Sequence, residues 1–241
     1  MPLVIENNIV LDCSRNFDDK YIVIPDGVME IGKNAFWGCT QILKVGIPDT
    51  VTKIGDFAFC GCESLTQVTI PYGVTEIGEA AFHRCINLET VTITGDECII
   101  KNDAFRECNN LISISMPKKK ASIGISAFGN CFKLEGICLR GVTYIPDFAF
   151  GNCKSLKKLI FPEGLVKIGD SSFIGCTSLS DVFFPDSLEE IGDKAFHACN
   201  LQVVKIPSNT RVKKKSFDVF TLILRIPSFI SAKLKKPSDS K

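Results

Sequence analysis

The chain is predicted to be a repeat solenoid of stacked coils, on three observations. A phenylalanine recurs at Phe36, Phe59, Phe82, Phe105, Phe128, Phe150, Phe173 and Phe196, with a weaker return at Phe217; the steps between neighbours are 23, 23, 23, 23, 22, 23, 23 and 21 residues. The whole segment Ile-Pro-x-x-Val-x-x-Ile-Gly-x-x-Ala-Phe-x-x-Cys-x-x-Leu-x-x-Val-x returns with it, from about residue 24 to residue 206. A fixed period in this range is the signature of coils that bury their apolar faces against one another. The third observation is a test of register. The residue before the second Ile reads Glu30, Lys53, Glu76 in successive copies, then Lys167 and Glu190 later. Such alternation of sign is what neighbouring rungs of a parallel ladder favour.

The elements follow in chain order. Residues 1–23 contain Val4-Ile5-Glu6-Asn7-Asn8-Ile9-Val10-Leu11, two apolar runs around an Asn-Asn turn, so an N-terminal cap built on a β-hairpin is expected. Residues 24–206 hold eight repeats of about 23 residues. In each, Leu-x-x-Val-x-Ile (Leu65, Val68, Ile70 in one copy) alternates as a strand does. The proline after it (Pro48, Pro71, Pro117, Pro162, Pro185, Pro207) lacks an N–H and ends the strand. Val-x-x-Ile-Gly is a second short extended piece, and Ala-Phe-x-x-Cys is expected to form a short helical or 3₁₀ turn. Residues 207–230 read as a degenerate ninth repeat and C-terminal cap, with the Cys-x-x-Leu portion lost after Phe217 and Ile223 to Pro227 as a last strand, and 231–241, with Lys233, Lys235, Lys236 and Lys241, as a flexible tail.

Composition narrows the function. Lys and Arg number 28 against 27 Asp and Glu, a formal net charge of +1, so bulk electrostatics offers nothing to nucleic acid or to an anionic membrane. No apolar run approaches the roughly 20 residues of a transmembrane helix. The N-terminus lacks the basic and apolar regions of a secretory signal.

Eight of the twelve cysteines share one repeat position: Cys39, Cys62, Cys85, Cys108, Cys131, Cys153, Cys176 and Cys199. They read as a buried row of small apolar side chains. Stacked rungs about 4.8 Å apart suit neither disulfide geometry nor pairing, and so many free thiols fit a reducing compartment. Cys60, Cys62, His83 and Cys85 make a nominal zinc set. Cys62 and Cys85 belong to the inward row, however, while Cys60 and His83 follow the Phe and face out, so no metal is expected. Neither His83 nor His197 (with Asp193 four residues before it) stands beside a nucleophile in motif context, and the chain reads as non-enzymatic, without cofactors.

The repeat unit resembles the BspA-type (Treponema pallidum-type) leucine-rich repeat, strongly over residues 24–206 and weakly to about 227; Ile5 to Leu11 is similar to the leader that precedes such arrays. The resemblance implies a right-handed leucine-rich-repeat superhelix with a strand ladder on its concave side. It further implies a protein-binding, adhesin-like role toward host matrix or cell-surface proteins, and favours a cell-surface or secreted setting. The alternatives are an intracellular interaction scaffold or a docking fragment of a larger protein.

Function is then expected where the copies differ. The residues flanking the Val of Leu-x-x-Val-x-Ile point outward. They are small and polar through Gln67/Thr69, Thr90/Thr92 and Ser113/Ser115, then change to Lys158/Ile160, Asp181/Phe183 and Val203/Lys205. Ile160, Phe183 and Val203, with Lys158 and Asp181, form the candidate partner-binding patch; its alternative is to lie under the C-terminal cap or tail. Trp37, the sole tryptophan, is either covered by the N-terminal cap or a second partner anchor. Lys118-Lys119-Lys120 with Lys101 make a small basic spot, read as a solvated turn. The protein partner is unnamed by the sequence, and a monomer is expected.

Overall fold

The computed structural model describes residues 3–12 and 19–227. The tail at 231–241 with its lysines, residues 228–230 of the expected cap, and Cys13 lie outside the described residues.

Every coil contributes two short strands, and like strands stack in parallel. The front ladder begins with Tyr21–Val23, Lys44–Gly46, Gln67–Ile70, Thr90–Ile93, Ser113–Ser115 and Gly136–Ile137, hydrogen-bonded in that order. It resumes as Lys158–Ile160 beside Asp181–Phe183, and then Val203–Pro207 beside Leu222–Ile226. This is the ladder of Leu-x-x-Val-x-Ile. The back ladder runs through Glu30–Ile31, Lys53–Ile54, Glu76–Ile77, Glu97–Ile100 and Lys120–Ile123, and continues from Tyr144–Ile145 to Arg211–Val212. Taking each coil from its front strand and numbering by its Phe, nine coils are present, from Phe36 to Phe217, and Leu222–Ile226 opens a tenth.

The back ladder starts with an antiparallel hairpin of Val4–Glu6 and Ile9–Asp12. Asn7 and Asn8 both have positive φ, as a tight two-residue hairpin turn requires. Ile9–Asp12 pairs in parallel with Glu30–Ile31.

The charged row pairs Glu30 with Lys53, Lys53 with Glu76 and Lys167 with Glu190. Lys53 Nζ lies 3.5 Å from Glu30 and 3.8 Å from Glu76; Lys167 Nζ is 3.3 Å from Glu190. Arg211 extends the row by pairing with Glu190. In coils four to six the same row is Ile99, Ser122 and Tyr144, and the charge pattern lapses.

Between the two ladders run the nine Phe rings. Neighbours from Phe36 to Phe217 stack with centroids 4.8–5.5 Å apart and planes within 2–8°. The Ala before each Phe is fully buried, and Ser172 and Ser216 take its place in coils seven and nine. Each of these hydroxyls bonds a carbonyl, Ser172 to Gly169 and Ser216 to Gly192, so burial leaves no orphaned polar atom. The Gly after Ile is a close-approach residue: a Cβ on Gly78 would come within 2.5 Å of the Gly55 carbonyl carbon.

The segment around Phe contains no helix among the described residues, and the expected helical turn resolves into something tighter. N–H groups alternate between local and inter-coil partners. Ala35, Trp37 and Cys39 donate to Gly32, Asn34 and Phe36 in their own coil, while Asn34, Phe36 and Gly38 donate to Asp56, Ala58 and Cys60 of the next. The alternation needs positive φ two residues before and two after the Phe. It occurs at Asn34, Phe57, Ala80, Asp103, Ser126, Phe148, Ser171 and Lys194, and at Gly38, Gly61, Arg84, Glu107, Asn130, Asn152, Gly175 and Ala198. A left-handed residue in every reverse turn prevents the continuous right-handed winding of a 3₁₀ run.

The cysteine row is more than small apolar filling. Each thiol from Cys62 onward donates to the carbonyl of the preceding coil's Phe: Cys62 to Phe36 and Cys85 to Phe59 at 3.1 Å, and so on to Cys199 to Phe173 at 3.2 Å. Cys39, the first of the row, is instead disulfide-bonded. The reading of the row as wholly unpaired thiols is corrected at that position. The inference of a reducing compartment loses its force as well, because the remaining members are mostly buried and protected wherever the protein resides.

Candidate interaction surface

The front ladder aligns its outward residues in two rows. One pairs Tyr21, Lys44, Gln67, Thr90, Ser113 and Gly136 in sequence, then Lys158 with Asp181, then Val203 with Leu222. The other carries Thr69, Thr92 and Ser115, then Ile160 beside Phe183, then Lys205 beside Leu224. The centre of the ladder is thus a smooth strip of Thr, Ser and Gly.

Beyond it the surface turns apolar. Ile160, Phe183 and Val203 are 53, 37 and 49% exposed. The last strand, expected at 223–227, runs over Leu222–Ile226 and is a further rung; it adds Leu222 and Leu224 to the same surface. The stripe therefore spans the last four front strands. Lys158 stands over it with Nζ 5.2 Å from the Phe183 ring centroid, within cation–π range. Asp181 accepts a hydrogen bond from Ser180 Oγ at 2.7 Å.

Strand alternation sets what lies beneath. Ile160 points out and Phe161 in; Phe183 points out and Phe184 in. Phe161 and Phe184 stack at 5.5 Å and meet Phe173 and Phe196 edge-on at 5.7 Å. Four aromatic rings thus brace the stripe from below. The replacement of Ile by Phe at 161 and 184 is visible in the repeat alignment, but its bracing role needs the register.

A cleft of about 550 Å³ opens at the near end of the stripe, where Gly136–Ile137 and Lys158–Ile160 fail to pair. Its walls include Cys138, Arg140, Lys158, Ile160 and Pro162. The gap coincides with the sixth coil, one residue shorter than its neighbours because only Arg140 and Gly141 separate Leu139 from Val142. Gly141 makes that shortcut with φ of +74°, at a place where a Cβ would sit 2.1 Å from the Lys119 carbonyl oxygen.

Trp37 is elsewhere. It lies on the outer turn just after Phe36, 53% exposed, against Cys60 of the next coil. It does not join Ile160 and Phe183. Tyr21 and Val23, 68 and 79% exposed at the first rung of the front ladder, were assigned to the cap by sequence and form a separate apolar end. The basic spot at Lys118–Lys120 is compensated, since Lys119 pairs with Asp96 at 2.8 Å and Lys101 with Glu76 at 2.9 Å.

The chemistry-bearing residues do not converge. Among the described residues no group of His, Cys, Asp and Glu is arranged to hold a metal ion. Cys62 and Cys85 face the core and bond carbonyls. Burial pushes the Cys62 thiol up to about 12 and the Cys85 thiol well up, the reverse of what a nucleophile or ligand needs. Burial lowers the His83 pKa. His197 pairs with Asp218, Nδ1 to Oδ1 at 2.7 Å, rather than with Asp193. Among the described residues no helix is long and apolar enough to cross a membrane.

Parallel two-ladder coils around a stacked aromatic core, with variation concentrated on one outward face, define a leucine-rich-repeat scaffold. The chain belongs to the BspA-type leucine-rich repeat family: the BspA type leucine rich repeat region matches residues 7–135 and 98–223, in six copies. Among solved structures it is similar to a T. pallidum leucine-rich repeat protein, with 26% identity over 76% of this chain and 78% of that one and a TM-score of 0.55. It is also similar to a leucine rich cell surface protein of Faecalibacterium prausnitzii, with 26% identity, 92% of this chain covered and a TM-score of 0.48. The chain spans 64% of that protein's length. No curated protein shows significant similarity to it.

Proposed function

We propose that the chain is a non-enzymatic protein-binding scaffold whose contact surface is the apolar stripe of the front ladder, Ile160, Phe183, Val203, Leu222 and Leu224, with Lys158 and Asp181 at its edge. The observation that carries this is an exposed apolar stripe on a braced ladder whose central outward residues, from Gln67 to Gly136, are small or polar. A rigid surface loses little conformational entropy on binding, so modest contacts suffice. The partner is a protein, and the family's association with surface proteins supports an adhesin-like role toward host matrix or cell-surface proteins. The protein acts as a monomer. Trp37 is a separate, secondary contact.

The test pairs Ile160→Asp with Phe183→Asp in one variant. Wild type and variant are offered, side by side, to immobilised matrix proteins and to cytosolic lysate. The wild type should retain a matrix or surface protein, and the variant should lose it while keeping its thermal transition. Capture from lysate alone would sink the adhesin role. If every interaction survives the double substitution, the stripe is not the contact surface.

A further inference from the structure

The ninth coil is too short to complete its outer turn. From Phe173 to Asp181 the chain takes eight residues to return to the front ladder; from Phe217 to Leu222 it takes five. The Cys-x-x-Leu segment that covers the coil beneath it is therefore missing above Cys199 and Leu201. Cys199 is accordingly only half-buried, whereas Cys176 below it is fully enclosed.

The result is a notch of about 530 Å³ at the end of the stack. Cys199, Leu201 and Phe217 form its floor, and Val219 and Phe220, 91 and 90% exposed, stand at its lip. Lys194, Lys214 and Lys215 rim it, and none of the three is ion-paired among the described residues. Asp218, the one carboxylate in the lining, is already engaged: its Oδ1 holds His197 Nδ1 at 2.7 Å and accepts the Ala198 N–H at 3.1 Å. An apolar hollow with an uncompensated cationic rim selects for a ligand that is apolar in one part and anionic around it.

We propose that this notch binds an acidic segment of a partner protein, one aromatic or aliphatic side chain filling the hollow and flanking Asp or Glu residues meeting the three lysines. Its volume exceeds what one side chain needs and leaves room for the flanking backbone. Residues 228–241 of this chain do not have that chemistry: they carry four lysines against a single aspartate, the same sign as the rim. The notch shares no residue with the front stripe, so either site can fail alone.

The experiment is fluorescence anisotropy of labelled heptapeptides against the full chain. The sequences are Gly-Glu-Asp-Phe-Glu-Glu-Gly, its counterpart with Lys at every acidic position, and its counterpart with Gly for Phe. The acidic Phe peptide should bind at least about tenfold tighter than both others, and more weakly as NaCl rises from about 50 to about 500 mM. Replacing Lys194, Lys214 and Lys215 together by Glu should weaken it at least about tenfold. Val219→Asp with Phe220→Asp, at positions too exposed to affect folding, should do the same. The Ile160→Asp, Phe183→Asp variant should bind it as wild type does. Absence of binding at millimolar protein, equal binding of the lysine peptide, or binding that survives the triple reversal overturns the proposal. So does loss of binding in the front-stripe variant, which would place the peptide on the ladder instead.

Discussion

Mild alkali should unfold this protein, because its buried thiols resist ionisation. Seven thiols are held away from water: Cys62, Cys85, Cys98, Cys108, Cys131, Cys153 and Cys176. Burial raises the pKa of each, to about 12 for Cys62 and Cys98 and well up for the others. In the unfolded chain each is an ordinary thiol near about 8.5. A pKa raised by folding means that the folded chain keeps protons the unfolded chain gives up. Stability is therefore intact below about pH 8.5 and is lost as pH rises from there toward the folded values. At about pH 9.5 each thiol has withdrawn about 1.4 kcal/mol, and the seven together about 10 kcal/mol. That equals the whole stability of an ordinary domain, about 5–15 kcal/mol. The assay is urea unfolding followed by circular dichroism from about pH 7.5 to about 9.5. It is run without oxygen and without a reductant, so that the Cys39 disulfide stays closed. Cys108→Ala should reduce the slope by about 1.4 kcal/mol per pH unit above the thiol range. A stability that stays level across that interval, with the thiols chemically intact, would refute the account of a sealed thiol row.

Other perturbations probe the stack piece by piece. Phe105→Ala, in the middle of the ring column, should cost about 3–5 kcal/mol in urea unfolding, because neither neighbouring coil can close the gap. Ala80 and Ala81 are adjacent but should respond to Gly with opposite sign. Ala80 has φ of +50°, so glycine relieves strain there and stabilises by about 0.5–1 kcal/mol. Ala81 is fully buried beside Phe82, and its loss to glycine should cost about 1 kcal/mol or more. Lys53→Glu would set three carboxylates in register at 30, 53 and 76. It should lower the melting temperature at low salt by an amount worth about 0.5–2 kcal/mol, much of it recovered at high salt.

The sequence disclosed what depends on period and concealed what depends on backbone shape. Strand pairing was legible because a 23-residue step leaves one register in which Glu30, Lys53 and Glu76 alternate, and that register is the observed one. The left-handed positions were not. Asn34, Asp103 and Asn130 hint at them, but Phe57, Ala80, Phe148 and Lys194 occupy equivalent sites and have no such preference. Inter-coil hydrogen bonds impose the conformation there against local propensity. The thiol donors were hidden for a related reason: the acceptor of each is 25 or 26 residues earlier in the chain, a partner that only stacking supplies. Leu222 and Leu224 take the register of Val203 and Lys205 in the rung beneath, although Ile223 between them is itself exposed on this last described rung. The last strand itself is legible at 223–227, but its outward residues are not, because the degenerate ninth repeat lacks the Cys-x-x-Leu segment that would fix their register.

That distinction bears on how the surface can act. Along the front strands one residue faces outward and the next faces the rings, as with Ile160 and Phe161 or Phe183 and Phe184. Stability resides in the inward member, so the outward one can be replaced at little cost to the fold, usually within about 0.5 kcal/mol at an exposed site. The same rings fix the outward side chains' backbone within a hydrogen-bonded ladder, so the proposed contact surface would need no ordering before binding. An Asp at 160 or 183 therefore reports on binding alone, while an Ala at 161 or 184 must disturb both. Comparing the two pairs separates a surface that recognises a partner from one that merely sits above a strong core.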